Sequence, residues 1–123
     1  MKAVGKNLKT DKSEKGERIM SLDSESNIRR LNTSFVDSFL EVVIFGEVVL
    51  HFLELTSHFS RDEIVEKPEE FESLLEILLG DSEKIIVDKV INNLYEKLGI
   101  EYSKVKEYKL ADYLAKAMNE QRS

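Results

Sequence analysis

The chain has 123 residues, of which 41% are apolar and 34% charged, and its formal net charge is −6 at pH 7. This length corresponds to one domain with enough apolar side chains for one core. The absence of cysteine excludes disulfides, thiolate metal sites and cysteine nucleophiles, and it fits a cytoplasmic location. One proline and five glycines argue against a β-sandwich or barrel, which needs many turns.

The first 20 residues differ from the rest in charge and pattern. Residues 1–30 hold eight Lys/Arg and five Asp/Glu, whereas residues 31–123 hold ten and nineteen. Residues 1–20 also lack apolar periodicity, so we predict a disordered basic arm (1–20) followed by a single helical domain (21–123). The acidic domain opposes nucleic-acid binding, which leaves only the arm to touch phosphate weakly.

The N-terminus shows no apolar segment typical of a signal peptide. Gly16 and Glu17 are encoded by GGN-GAR, which can contain the ribosome-binding sequence GGTGA, and Met20 follows at a suitable distance. Either Met1 or Met20 is therefore a candidate start. N-terminal sequencing of the native protein distinguishes them.

Residues 39–55, FLEVVIFGEVVLHFLEL, form the most apolar stretch of the chain. Glu47, His51 and Glu54 recur at i, i+4 and i+7, which indicates a helix, and Gly46 predicts a break or kink in it. The apolar positions cover more than half of the circumference, so this helix must pack against several neighbours or against another subunit. Its carboxylates and short length argue against a membrane span. We therefore expect a protein partner, first of all a homodimer.

Capping residues predict the helices around this stretch. A short helix over 21–31 precedes a second one that begins near Ser34, with Asn32 or Thr33 as its N-cap. Ser60 and Glu63 have the spacing of a capping box and start one short turn. The next helix opens at Pro68, ends at Gly80, and has an apolar stripe formed by Phe71, Leu74, Leu75 and Leu78.

Two further helices follow. Asp81 or Ser82 caps the first, which Gly99 ends, and its stripe comprises Ile86, Val87, Val90, Ile91, Leu94 and Leu98. Ser103 is expected to cap the last helix, from Lys104 to about Gln121, with its apolar stripe at Leu110, Tyr113, Leu114, Ala117 and Met118. The other face of this helix is cationic and comprises Lys104, Lys106, Lys109 and Lys116. Such a face favours docking on acidic helices or on an acidic partner. The sequence thus predicts an all-α fold of about five helices in a compact orthogonal bundle.

The candidate metal ligands are Glu47, His51 and Glu54, with His58 one turn further on. Carboxylate and imidazole at this spacing could bind zinc or iron. Four-helix carboxylate proteins, however, use Glu-x-x-His motifs on two helices, whereas this chain has a single reversed copy, His51-x-x-Glu54. The alternative is the solvated face of an apolar helix. A second carboxylate cluster comprises Glu66, Glu69, Glu70, Glu72 and Glu76. We expect it to interact favourably with the helix dipole and to increase solubility rather than to act in catalysis. We identify no catalytic or cofactor-binding residue.

Four segments occur in a recognisable order between residues 46 and 100: Gly46-Glu47, IVEKPEEF at 64–71, LLG at 78–80 and KIIVDKVINNLYEKLGI at 84–100. In these segments the chain resembles a family of small archaeal helical domains, the Nitrosopumilus output domain of signalling and regulatory proteins. The matching positions are helix caps and core residues, so they speak to fold and not to a site. The resemblance implies an archaeal, cytoplasmic, regulatory protein, and it supplies no catalytic residues.

Two functions follow from these observations. The first is a non-enzymatic regulatory or signal-output module that acts through protein–protein contacts as a homodimer. The alternative is a small-molecule or metal-binding sensor that uses the face formed by Glu47, His51 and Glu54.

Overall fold

The computed structural model describes the backbone of residues 16–122 and the side chains of residues 25–120. Over this part the chain folds into five α-helices and one short 3-10 turn, with no β-strand, which confirms the predicted all-α bundle. The elements are α1 (Gly16–Val42), α2 (Gly46–Thr56), the turn Arg61–Glu63, α3 (Pro68–Leu79), α4 (Ser82–Leu98) and α5 (Leu110–Arg122). None of the helices described has the length and apolar character needed to cross a membrane. The predicted basic arm lies outside the described residues up to residue 15, and α1 begins at Gly16.

The predicted break in the central apolar stretch is confirmed. α1 ends at Val42, and α2 begins at Gly46 after a tight corner in which the Gly46 amide donates to the Val43 carbonyl at 2.9 Å. Gly46 is buried, and a Cβ at this position would lie 3.3 Å from Leu40 Cδ2 and from the Phe39 ring. The missing side chain therefore lets α2 start in close contact with the end of α1.

The predicted helix boundary at residues 31–34 is wrong, because α1 continues through it. Asn32 is buried, and its side chain does not cap a helix. Its Nδ2 donates to the Arg61 carbonyl at 2.9 Å, and its Oδ1 accepts from the Val65 amide at 2.9 Å. Tertiary hydrogen bonds to the segment after α2 thus replace the local cap that the sequence suggested.

The predicted ends of α3 and α4 are confirmed. Pro68 is the first residue of α3, and Gly80 follows its last turn with φ 64°. Gly99 adopts the left-handed conformation after α4, with φ 72°. The Ile100 amide donates to the Tyr95 carbonyl at 2.9 Å, which completes a Schellman-type end.

The predicted start of the last helix is wrong, because α5 begins at Leu110 and not at Lys104. The local cap is Asp112, whose Oδ2 accepts from the Lys109 amide at 2.8 Å. Residues 103–109 are exposed and have little apolar surface to bury as a helix. They follow an irregular path that Tyr113 fixes, since its hydroxyl accepts from the Val105 amide at 3.0 Å. The predicted cationic helix face does not form there, although the apolar stripe of α5 does.

Phe71 on α3 is the centre of the core. Its side chain is fully buried and makes edge contacts with Phe35 and Phe39 of α1 and a stacked contact with Phe59. α4 also packs against α1. The other fully buried large side chains are Leu31, Leu50, Ile64, Leu75, Val90, Ile91, Leu94, Tyr95 and Leu110.

Candidate functional site: the exposed face of helix α2

Helix α2 exposes a continuous set of large apolar side chains. Val48 is 68% exposed, Phe52 46% and Leu55 66%, at helical spacings of four and three. The corner that leads into the helix adds Ile44 at 100% and Phe45 at 49%. We call these five residues the α2 face. Contiguous exposed apolar surface of this kind is typical of interaction sites.

The opposite side of α2 belongs to the core. Val49, Leu50 and Leu53 are at most 4% exposed, and together with Gly46 they face the rest of the bundle. The wide apolar arc that the sequence predicted is therefore divided. One part is buried within the chain, and the α2 face remains open.

A single arginine holds the two carboxylates at the edge of this face. Arg61 Nη2 lies 2.6 Å from Glu47 Oε2 and its Nη1 lies 3.0 Å from Glu47 Oε1, which is a bidentate pair. Arg61 Nε lies 2.8 Å from Glu54 Oε2, and the Arg61 backbone amide donates to the same oxygen at 3.3 Å. Asn32 therefore binds the backbone carbonyl of Arg61, and Glu47 and Glu54 bind the side chain of Arg61.

These contacts set the charge state of the network. Hydrogen bonds from Arg61 hold the pKa of Glu47 and the pKa of Glu54 below their ordinary value of 4.5. The same bonds raise the pKa of Arg61 above its ordinary value. All three groups are therefore ionised at neutral pH, and the positive charge of Arg61 offsets part of the negative charge beside the α2 face.

The structure brings two of the candidate metal ligands together, but around a guanidinium. Glu47 and Glu54 both bind Arg61, and His51 lies exposed between them along the helix. His58 lies beyond the end of α2, with a left-handed φ of 54°. Over the described part of the chain, no group of three or more His, Cys, Asp or Glu side chains could hold a metal ion. The sequence suggested a metal ion at these residues, whereas in the structure Arg61 binds both Glu47 and Glu54.

Removing Arg61 should destabilise the protein at neutral pH and change its acid sensitivity. Because the pKa values of Glu47 and Glu54 are lowered in the fold, their contribution is present above about pH 4.5 and is lost as pH falls through the folded pKa. We expect Arg61→Met to lower the Tm at pH 7 by a few degrees, with a difference from the wild type that shrinks below pH 4.5.

Thermal melts between pH 3 and pH 8 measure this effect. Lys67→Met is the matched control, because Lys67 pairs with Glu63 only at 3.7 Å on the surface. The assignment of Arg61 as the partner of both glutamates would be contradicted if the Tm difference between Arg61→Met and the wild type stayed constant across this pH range. It would also be contradicted if Lys67→Met showed the same pH-dependent difference.

Comparisons with known proteins identify no relative. No protein-family model matches the chain, and no curated protein or solved structure is significantly similar to it. The resemblance of residues 46–100 to the Nitrosopumilus output domain stays a prediction.

Proposed function

We propose that this chain is a non-enzymatic regulatory module that acts through protein–protein contacts, with the α2 face as the contact surface and a second copy of the chain as the partner. The observation that carries the proposal is the exposure of Val48, Phe52 and Leu55 on one side of a helix whose other side is buried. The resemblance of residues 46–100 to output domains supports the regulatory part and an archaeal, cytoplasmic setting.

The ion pairs around the α2 face make a second copy of the chain an acceptable partner despite its net negative charge. A net charge of −6 makes two copies repel each other in general. Near the face, however, Arg61 pairs with both Glu47 and Glu54. Two copies can therefore bring their apolar faces together without placing unpaired carboxylates opposite one another.

The spacing of the side chains also suits a self-complementary contact. Phe45, Val48, Phe52 and Leu55 follow the three-four-three spacing of a coiled-coil seam. A two-fold symmetric contact places this seam against itself, so each apolar side chain meets an apolar partner. Since α2 has only 11 residues, the buried area is modest, and we expect a dissociation constant on the order of micromolar to tens of micromolar.

Sedimentation velocity of the full chain tests the proposal over a range of about 1 to 300 µM. The expected result is a weight-average mass that rises with concentration from 14.2 kDa toward twice that value. Raising the salt concentration should strengthen the association, because it screens the net negative charge. A mass of 14.2 kDa at every concentration would overturn the homodimer.

A further inference from the structure

A second feature of the molecule is a pair of carboxyl groups at the place where α3, α4 and the start of α5 meet. Glu83, in the first turn of α4, is only 3% exposed, and its Oε2 atom has no hydrogen-bond partner among the described residues. The Glu72 side chain of α3 hydrogen-bonds to Glu83. Glu72 Oε1 also accepts from the amide of Leu110, the first residue of α5, at 3.4 Å. We call Glu72 and Glu83 the carboxyl pair.

The hydrogen bond within the carboxyl pair requires a proton. Two ionised carboxylates have only acceptor atoms, and at this distance their charges repel each other. Burial adds the cost of removing a charge from water. Burial first, and then the Glu72 carboxylate, raise the pKa of Glu83 to about 7. The carboxyl pair therefore keeps one proton below this pH and loses it above.

The charges next to Glu83 add to this effect. Besides Glu72, Glu76 of α3 disfavours the ionisation of Glu83, and the exposed Lys84 of α4 opposes it to a smaller extent. The other charged or titratable groups that line the same cavity are Glu69 from α3, Asp88 from α4, Lys104, Lys106, Glu107, Tyr108 and Lys109 from the segment before α5, and Tyr113 from α5. More negative than positive charge thus acts directly on Glu83.

The carboxyl pair attaches the segment that leads into α5. Residues 104–110 are exposed except for Leu110, whose side chain is buried and whose amide is bound to α3 through Glu72. Once the shared proton is lost, the two carboxylates repel each other. Glu72 is only partly buried, so it can turn towards solvent more readily than Glu83 can. The Leu110 amide then loses its acceptor.

We propose that the carboxyl pair is a pH-dependent switch: with one shared proton it keeps residues 104–110 and the first turn of α5 attached to α3, and loss of that proton releases them. The change is local, because the aromatic core around Phe71 does not include either carboxyl group. The open cavity of about 700 Å³ between α3, α4 and residues 104–110 should accordingly be wider above pH 7 than below it.

The direction of the pH effect follows from the raised pKa of Glu83. Relative to an ordinary carboxyl pKa of 4.5, the attached state binds the proton more tightly, so attachment is strongest below about pH 4.5 and is lost as pH rises through about 7. Between pH 6 and pH 9, these two values imply a rise of about tenfold in the population of the released state. The Arg61 network has the opposite dependence, since its contribution is lost as pH falls.

Hydrogen exchange of the full chain at pH 6 and pH 9, followed by mass spectrometry and corrected for the intrinsic pH dependence of exchange, tests the proposal. In the wild type, protection of the amides in residues 105–117 should fall about tenfold between the two pH values. Glu83→Gln should keep its protection at pH 9, because the neutral amide donates to Glu72 in place of the shared proton. Glu96→Gln, on an exposed part of α4 outside the cavity, should lose protection as the wild type does.

A second variant keeps the test decisive if Glu83→Gln does not fold. In Glu72→Gln, the amide nitrogen can donate to Glu83 while the carbonyl oxygen accepts from Leu110, so this variant should also keep its protection at pH 9. Equal protection of the wild type at pH 6 and pH 9, or tenfold losses that persist in both variants, would overturn the proposal.

The tyrosines give an independent signal of the same change. The chain has no tryptophan, and the ring centre of Tyr113 lies 5.1 Å from that of Tyr108, 5.8 Å from Tyr102 and 6.3 Å from Tyr95, which together are all four tyrosines. The near-ultraviolet circular dichroism of the wild type should therefore change between pH 6 and pH 9, and that of Glu83→Gln should not. An identical change in both proteins would count against the switch. No residue of the α2 face lines this cavity, so these results do not depend on whether the chain forms a dimer.

Discussion

Replacing Phe71 with alanine should destabilise the protein by about 3–5 kcal/mol, the usual cost of removing a buried phenylalanine from a core. Phe71 is fully buried, and its ring centre lies 5.9 Å from that of Phe35, 5.8 Å from Phe39 and 5.9 Å from Phe59. The substitution leaves a cavity between α1, α3 and the segment after α2, so all three parts of the fold lose contacts with the Phe71 ring. Urea unfolding at a fixed protein concentration, followed by circular dichroism, measures the change.

Phe52→Ala is the matched control for this experiment. It removes the same atoms from a side chain that is 46% exposed on the α2 face. At a protein concentration well below the dimer dissociation constant, we expect it to cost less than about 1 kcal/mol. Similar losses for the two variants would contradict the placement of Phe71 at the centre of the core and of Phe52 at its surface.

Placing two charges on the α2 face should abolish self-association. In the double variant Val48→Asp, Phe52→Asp, each copy would have to bury two carboxylates against an apolar partner surface. We expect the dimer dissociation constant to rise at least about 100-fold, because each large apolar side chain contributes about 1.5–3 kcal/mol when fully buried. Sedimentation velocity gives the dissociation constant, and far-ultraviolet circular dichroism checks that the helices remain.

Ile77→Asp is the control for that variant. Ile77 is 81% exposed but lies on α3, outside the α2 face. It should leave the dimer unchanged. If Ile77→Asp dissociates the dimer and the double variant does not, the contact surface has been assigned to the wrong helix.

Much of the fold could be predicted from the sequence because its signals are local. Pro68, Gly80 and Gly99 mark helix ends by their own backbone preferences, and the structure places helix ends at each of them. The break at Gly46 followed from the cost of glycine inside a helix. The two wrong boundaries, at Asn32 and at Ser103, have a common cause. Both residues are good N-caps, and in each case long-range or downstream hydrogen bonds decided the outcome.

The candidate sites were less predictable. Helical spacing placed Glu47 and Glu54 on a common side, but it could not show that Arg61 returns from the next segment to bind both. Periodicity likewise could not show which half of the α2 arc the rest of the chain would cover. The burial of Glu83, which is only 3% exposed in the first turn of α4, had no signal in the sequence, since an acid in the first turn of a helix is common. Its burial follows from the packing of α3 beside α4, which only the tertiary structure shows.

The most direct test of the central claim is the distance between spin labels in the dimer. The chain has no cysteine, so His51→Cys allows a single label at the border of the α2 face, and Lys104→Cys places one on the exposed segment between α4 and α5. Helices in contact lie about 8–10 Å apart, so the labels at position 51 should give one narrow distance distribution below about 30 Å between copies. The labels at position 104 should give a longer distance. A short distance at position 104 together with none at position 51 would contradict the assignment of the α2 face as the surface through which this chain associates.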